Sequence, residues 1–290
     1  MGAFGKGLTF SLAGAAVAVS LGRTPSVNAA AVTVGFNDPN DINQFFQNND
    51  GTARTVFNFS STGGIADQAG GANGGALVAP NPSIDATAVY QSKSVNLTTG
   101  QAVVSVLFNF SAATNAARTQ LGFLSKPNLS FNGENPPGSA FIAPRVNSDG
   151  SVNIQIKPSA AGTATPFNGT LTGGIQGGHW YQLTVGLTET DTALGNVTID
   201  TSVSDLGTTG TGAPTLVFQN STNITFVDFA GTNFGSLLFT GVRTANATTP
   251  QLSLDNFTVS GNLSNAPEPA SLALLGIGAG GFLLRRRRAD

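Results

Sequence analysis

Alternation with a period of two runs through the middle of this chain, and nothing else in it limits the fold as tightly. In "SVNIQIK" (151–157), Val152, Ile154 and Ile156 fall on one face and Asn153, Gln155 and Lys157 on the other. "YQLTVGL" does the same with Tyr181, Leu183, Val185 and Leu187. "VVSVLFNF" sets Val104, Val106, Phe108 and Phe110 against the mixed row Val103, Ser105, Leu107 and Asn109. Successive side chains leave opposite faces of an extended strand, so each stretch reads as a strand with one face in a core. Further strands are expected at 32–36, 54–59, 86–91, 119–124, 140–146, 196–203, 214–219, 224–228, 235–243 and 251–259. Turn clusters such as "NSDG" and "TTGTG" separate them. No window of helical length repeats at 3.6 residues, so the chain is expected to be all-β, with two antiparallel sheets packed face to face as a β-sandwich. In "QLSLDNFTVSG" the apolar positions run 252, 254, then 257, 259. The phase slips at Asp255–Asn256, which predicts a bulge there.

Composition supports strands over helices. Only 10% of the residues are charged, against an average of about 25%, while 40% hydrophobic content is enough for a core. Between residues 32 and 265, seven Lys/Arg face thirteen Asp/Glu, a net of −6. That leaves no basic stripe for nucleic acid. With Cys 0 there is no disulfide, thiolate metal site or cysteine nucleophile. No fixed repeat suggests a propeller or β-helix, and the Gly-rich "GGIADQAGGANGGALVAPNP" (63–82) reads as a loop too short to divide domains.

Both ends read as addresses. At the start, Lys6 precedes an apolar run from Leu8 to Leu21, then Pro25 and small residues. That order describes a signal peptide over 1–31, cut after Ala29 or after Ala31. At the end, Ser271 to Leu284 would rise only ~21 Å as a helix, short of the ~30 Å hydrocarbon core. A transmembrane helix at about 270–284 can still hold by local thinning and by arginine stems reaching the interface. Arg285, Arg286, Arg287 and Arg288 would stay cytoplasmic. Pro267 and Pro269 keep Glu268 in an extended segment that a processing enzyme could grip. The organisation expected is a signal peptide 1–31, a β-sandwich domain 32–262 and a C-terminal signal 263–290.

"PEPASLALLGIGAGGFLLRRRR" resembles the PEP-CTERM sorting signal of Gram-negative bacteria, in which Pro-Glu-Pro, a short hydrophobic helix and an arginine cluster follow one another. The resemblance implies that an exosortase-type enzyme in the inner membrane processes the tail. Pro267, Glu268 and Pro269 would be its recognition motif, and the mature form would sit in the cell envelope or outside it. The body, with "GGHWYQLTVGLT", "GNVTIDTSV", "LLFTGVRT" and "LDNFTVSG", resembles the concanavalin A-like, laminin G-like jelly roll.

Many jelly rolls act on polysaccharides, but the residues argue for a non-enzyme. Glycoside hydrolysis needs two placed carboxylates. "ETDTAL" offers Glu189 and Asp191, yet Leu194 stands where a second Glu belongs, and the stretch reads as a turn. His179 is the single histidine and lacks a nucleophile motif nearby. Binding of extracellular polysaccharide is the function expected, against a polysaccharide-modifying enzyme or a purely structural matrix protein. Trp180, Tyr181 and Tyr90 are the aromatics that could stack on sugar, although Trp180 reads first as a packing residue. "NDPND" supplies Asn37, Asp38, Asn40 and Asp41 on a turn. In sandwiches of this kind, Asp38 or Asp41 could share one structural Ca²⁺ with Asp255. The competing reading is an Asx turn that caps its own backbone.

Overall fold

The computed structural model describes residues 30–47, 57–61, 64–65, 74–78, 86–90, 92–97, 101–111, 117–124, 141–157, 164–191, 193–225, 239–245 and 252–265. They form two antiparallel sheets. The first contains β14 (Thr215–Thr225), β13 (Asn196–Asp205), β12 (Trp180–Asp191), β7 (Gln101–Phe110), β16 (Leu252–Asn265), β4 (Ala76–Val78) and β3 (Asn58–Ser60) in that spatial order. Two more strands, β1 (Ala30–Val34) and β6 (Lys93–Asn96), also pair with β16. The second sheet runs β11 (Ala164–Thr170), β10 (Ser151–Lys157), β9 (Phe141–Asn147), β8 (Arg118–Leu124), β15 (Phe239–Ala245), β5 (Ala86–Tyr90) and β2 (Phe45–Gln47). A 3-10 turn at Pro39–Gln44 is the one helical element among the described residues. None of their helices is long and apolar enough to cross a membrane.

The alternation places the core where expected. Val152, Ile154, Leu183, Val185, Val104 and Val106 lie between the sheets at near-zero exposure. Tyr181 stacks on Phe108 from the neighbouring strand at 5.5 Å. Phe45 and Tyr90 from the second sheet meet Phe257 from the first, with ring centroids 5.1–5.5 Å apart, and this cluster ties the sheets at one end. Offset and edge-on aromatic contacts of this kind add to the burial itself.

β16 carries the expected bulge. Its register against β7 shifts between Asp255 and Thr258, and Asn256 takes φ 45. The irregularity returns Phe257 and Val259 to the core side that Leu252 and Leu254 occupy. The structure departs from expectation elsewhere. The stretches 214–219 and 224–228 are not separate; Thr215 through Thr225 is one strand. β2, β4, β6 and β11 have no counterpart in the expected strands, being short or weakly alternating. β4 lies inside the Gly-rich stretch read as loop, and β16 pairs with β6 as far as Asn265, past the expected boundary at 262. Of the signal peptide expected over 1–31, residues 1–29 lie outside the described residues, as does the tail helix expected at about 270–284, while Ala30 and Ala31 belong to β1.

Burial pushes the phenols of both tyrosines up; a hydrogen bond with Ser92 offsets this at Tyr90, while at Tyr181 the Gln176 amide lowers and the Asp205 charge raises. The fold favours the protonated form, so the stability these groups contribute is whole below the ordinary phenol pKa and is lost as pH rises through the raised values. With Tyr 2 in the whole chain, an absorbance titration should show little tyrosinate at about pH 10, and ionisation should coincide with loss of near-ultraviolet circular dichroism.

Candidate functional site

The outward face of the second sheet holds an unusual row. Gln120, Arg145, Asn153 and Asn168 stand in direct cross-strand register on β8, β9, β10 and β11. The alternation that sends Leu121, Val146, Ile154 and Phe167 inward puts the polar partners of those strands on the opposite face. Strands lie about 4.8 Å apart, so the row spans several sugar rings. A second row follows with Arg118, Asn147 and Ser151, where Asn147 Nδ2 donates to Ser151 Oγ at 2.7 Å. On the other side, Gly241, Gly122 and Ala143 occupy successive register positions. These small residues leave room for Gln120 Nε2 to donate to Gln155 Oε1 at 2.7 Å.

Gln120 is 2% exposed and Asn153 8%, and among the described residues neither Gln120 Oε1 nor Asn153 Oδ1 has a hydrogen-bond partner. A shielded polar atom without a partner costs about 1–3 kcal/mol. Half-buried Arg118 and Arg145 supply guanidinium groups beside them. Of the seven Lys/Arg between 32 and 265, Arg118, Arg145, Lys157 and Arg243 belong to the strands of this sheet.

The residues singled out by sequence have other employment. Tyr181 and Tyr90 are core residues. Trp180, 6% exposed, packs with Ile65, Leu107 and Leu206 on the outer side of the first sheet. The 206–212 loop closes over it so tightly that a Cβ on Gly210 would stand 3.1 Å from Trp180 Cγ. None of the three offers an open stacking face. Glu189 lies in β12 opposite Val197, which corrects its expected place in a turn. The turn begins at Asp191, whose Oδ1 accepts from the amides of Ala193 and Leu194. His179 Nδ1 meets both oxygens of Asp205 at 3.0–3.1 Å, and Asp205 Oδ1 also accepts from Gly207 N, so the pair braces the start of the loop over Trp180.

Each of the expected calcium carboxylates accepts hydrogen bonds from nearby backbone. Asp38 Oδ1 accepts from Asn40 N at 2.7 Å and Asp41 Oδ2 from Asp38 N at 3.3 Å, which makes a capping box on the 3-10 turn. Asp255, 1% exposed, accepts from Ile65 N at 2.8 Å and Asn256 N at 2.7 Å. Among the described residues, no three His, Cys, Asp or Glu are placed to hold a metal ion. Gly64 explains part of the Gly-rich stretch: a Cβ there would lie 1.9 Å from Gly75 O and 2.9 Å from Asp255 Oδ2.

Residues 265–288 match the PEP-CTERM protein-sorting motif. The tail is a sorting signal. It marks an exported protein whose C-terminus is handled by an exosortase, and Pro267, Glu268, Pro269 and Arg285–Arg288 fall inside the match while lying outside the described residues. No curated protein matches the chain by sequence. Among solved structures, it is similar to the potassium-bound carbohydrate recognition domain of Emp46p, with TM-score 0.50 and 7% identity over 79% of this chain and 96% of that one. Arcelin-5, a lectin-like defense protein from Phaseolus vulgaris, gives 0.47 and 11% over 82% and 100%. The PL-14 alginate lyase from Aplysia kurodai gives 0.43 and 11% over 70% and 86%. At these identities the likeness speaks to the fold, a lectin-like jelly roll.

Replacing Asp255 by Ala strands the Ile65 and Asn256 amides and should cost about 2–5 kcal/mol. Asp255→Asn keeps one acceptor and should recover part of the loss, read as the shift in urea unfolding midpoint.

Proposed function

We propose that this exported protein binds extracellular polysaccharide, without catalysis, through the polar row on the second sheet. The observation that carries the reading is the register row of amide and guanidinium groups, Gln120, Arg145, Asn153 and Asn168, on four neighbouring strands. Sugar hydroxyls donate to amide oxygens, and guanidinium groups donate to hydroxyl and carboxylate oxygens. A row crossing four strands suits an extended chain better than a single small molecule. The name of the Emp46p domain accords with this reading. An enzyme on the same fold is the weaker alternative, since the Glu189–Asp191 stretch ends a strand of the other sheet.

The ends of the chain serve delivery. β1 starts at Ala30, paired with Gly261, so cleavage after Ala29 keeps the strand whole, whereas cleavage after Ala31 removes two of its ladder positions. Mature protein recovered from the envelope should begin at Ala30. In that material, binding to a neutral glucan and to a uronate polymer is measured by calorimetry, with Asn153→Leu as the probe. Because the substitution removes a buried acceptor with no partner among the described residues, the melting midpoint should hold or rise. Affinity should fall about tenfold, equivalent to 1.4 kcal/mol. Binding of neither polymer, or equal binding by Asn153→Leu, overturns the reading and favours a purely structural matrix role.

A structural Ca²⁺ shared by Asp255 with Asp38 or Asp41 belongs to the same proposal, since carboxylates supply the oxygens that the ion requires. Added Ca²⁺ should raise the melting midpoint by a few degrees relative to chelator; identical curves remove the ion.

A further inference from the structure

Sheets end in strands whose outer backbone groups are open to pairing, and proteins blunt such edges with short strands, proline or charge. Among the described residues, three of the four strands that end the two sheet paths follow that practice. β3 and β2 are three residues long, and β11 carries Pro166. β14 does not. It closes the first sheet with eleven residues, paired along one side to β13, and holds neither proline nor charge. Thr215, Gln219, Ser221, Asn223 and Thr225 are exposed, and Leu216 is one of two large apolar side chains left in solvent among the described residues, at 48%.

The open stretch has a defined start. Thr172 N donates to Val217 O at 2.9 Å, and the ladder to β13 shifts at the same place, between Val203 and Ser204. Beyond it, Phe218 through Thr225 runs in regular register against β13. Phe218, Asn220, Thr222 and Ile224 are the buried or half-buried side; Gln219, Ser221 and Asn223 are the exposed side.

We infer that β14 is the edge on which a second copy of this chain docks, antiparallel, about a twofold axis through Ser221. In that register Phe218 meets the partner's Ile224, Asn220 the partner's Thr222, and Gln219 the partner's Asn223. Directly opposed residues of an antiparallel pair share a face, and this register matches inner positions to inner and outer to outer. A centre one residue earlier drives the pairing into the bulge and into Val217, whose carbonyl Thr172 already takes. The partner is a copy, not a different strand, on grounds of charge. The body is net acidic, yet Leu206 through Val227 contains no ionisable side chain, so two like edges meet without repulsion and nothing selects a charged partner. An isologous contact of this kind closes after two subunits, which answers the fibre hazard of an open edge.

The absence of cysteine from the chain makes the test direct. In full-length protein purified in detergent, mild oxidation should link Ser221→Cys into a covalent dimer, since twofold-related Cα atoms would lie about 4.5–5.5 Å apart, within disulfide range. Gln219→Cys should stay unlinked, its two copies being offset by about 13 Å along the strands. Sedimentation of the unmodified chain should give twice the monomer mass, undiminished by added salt. Ser221→Lys, on an exposed position, should return it to a folded monomer with unchanged far-ultraviolet circular dichroism and a melting midpoint that no longer depends on protein concentration. A monomer at micromolar concentration, no link at 221, or equal linking at 219 and 221 overturns the inference; an edge reserved for another protein would give the first of these.

Discussion

The sandwich depends on the irregularity in β16. This strand pairs with β7, β1, β4 and β6, so any error in its facing would spread to most of the first sheet. A strict two-residue alternation through Leu252, Leu254 and Val259 is impossible, because the last falls out of phase with the first two. The extra residue at Asp255–Asn256 resolves the conflict and sends Phe257 into the cluster with Phe45 and Tyr90 that joins the sheets. A bulge disturbs the local ladder, and Asp255 mends it by accepting from Asn256 N beneath it and Ile65 N across the gap. One buried carboxylate thereby fixes both the strand's phase and the position of a glycine-rich segment that has little apolar surface of its own.

The two sheets differ in what their outer faces carry. The first is braced on its outer side by Trp180 and the 206–212 loop, and by the His179–Asp205 pair beneath that loop. Its aromatic residues are consumed by packing. The second sheet carries the amides and guanidinium groups on its outward face, in register across strands. Recognition is therefore sought on a surface built from side chains that rigid strands hold, not from loops. The sorting signal lies beyond β16, whose final residues pair with β6, so the tail leaves the sandwich from an anchored strand.

Much of this was legible in the chain itself. The alternation around Leu183, Ile154 and Val106 marked the long strands, and the slip at Asp255–Asn256 marked the bulge, since both are properties of consecutive residues. The turn at Asp38 was equally readable as a cap, because Asx side chains bond the amide two residues on. Short strands such as Ala76–Val78 were not, having too few residues to show a period and gaining their pairing from β16. The aromatic trio Trp180, Tyr181 and Tyr90 attracted notice by rarity, but rarity does not report burial. The polar row escaped because its members stand one to a strand. "SVNIQIK" showed Asn153 and Gln155 on a shared face, yet nothing local says that Arg145, Gln120 and Asn168 line up beside them.

By itself the sequence determined that the middle of the chain is strand, that its tail is a sorting signal, and where the last strand must bulge, because periodicity and motif are written in neighbouring residues. The tertiary structure alone decided what each carboxylate holds, which aromatics disappear into the core, and which amides and guanidinium groups form one row. Those are relations among residues tens of positions distant, fixed by strand order and register, and register is settled only when both sheets bury their apolar faces together.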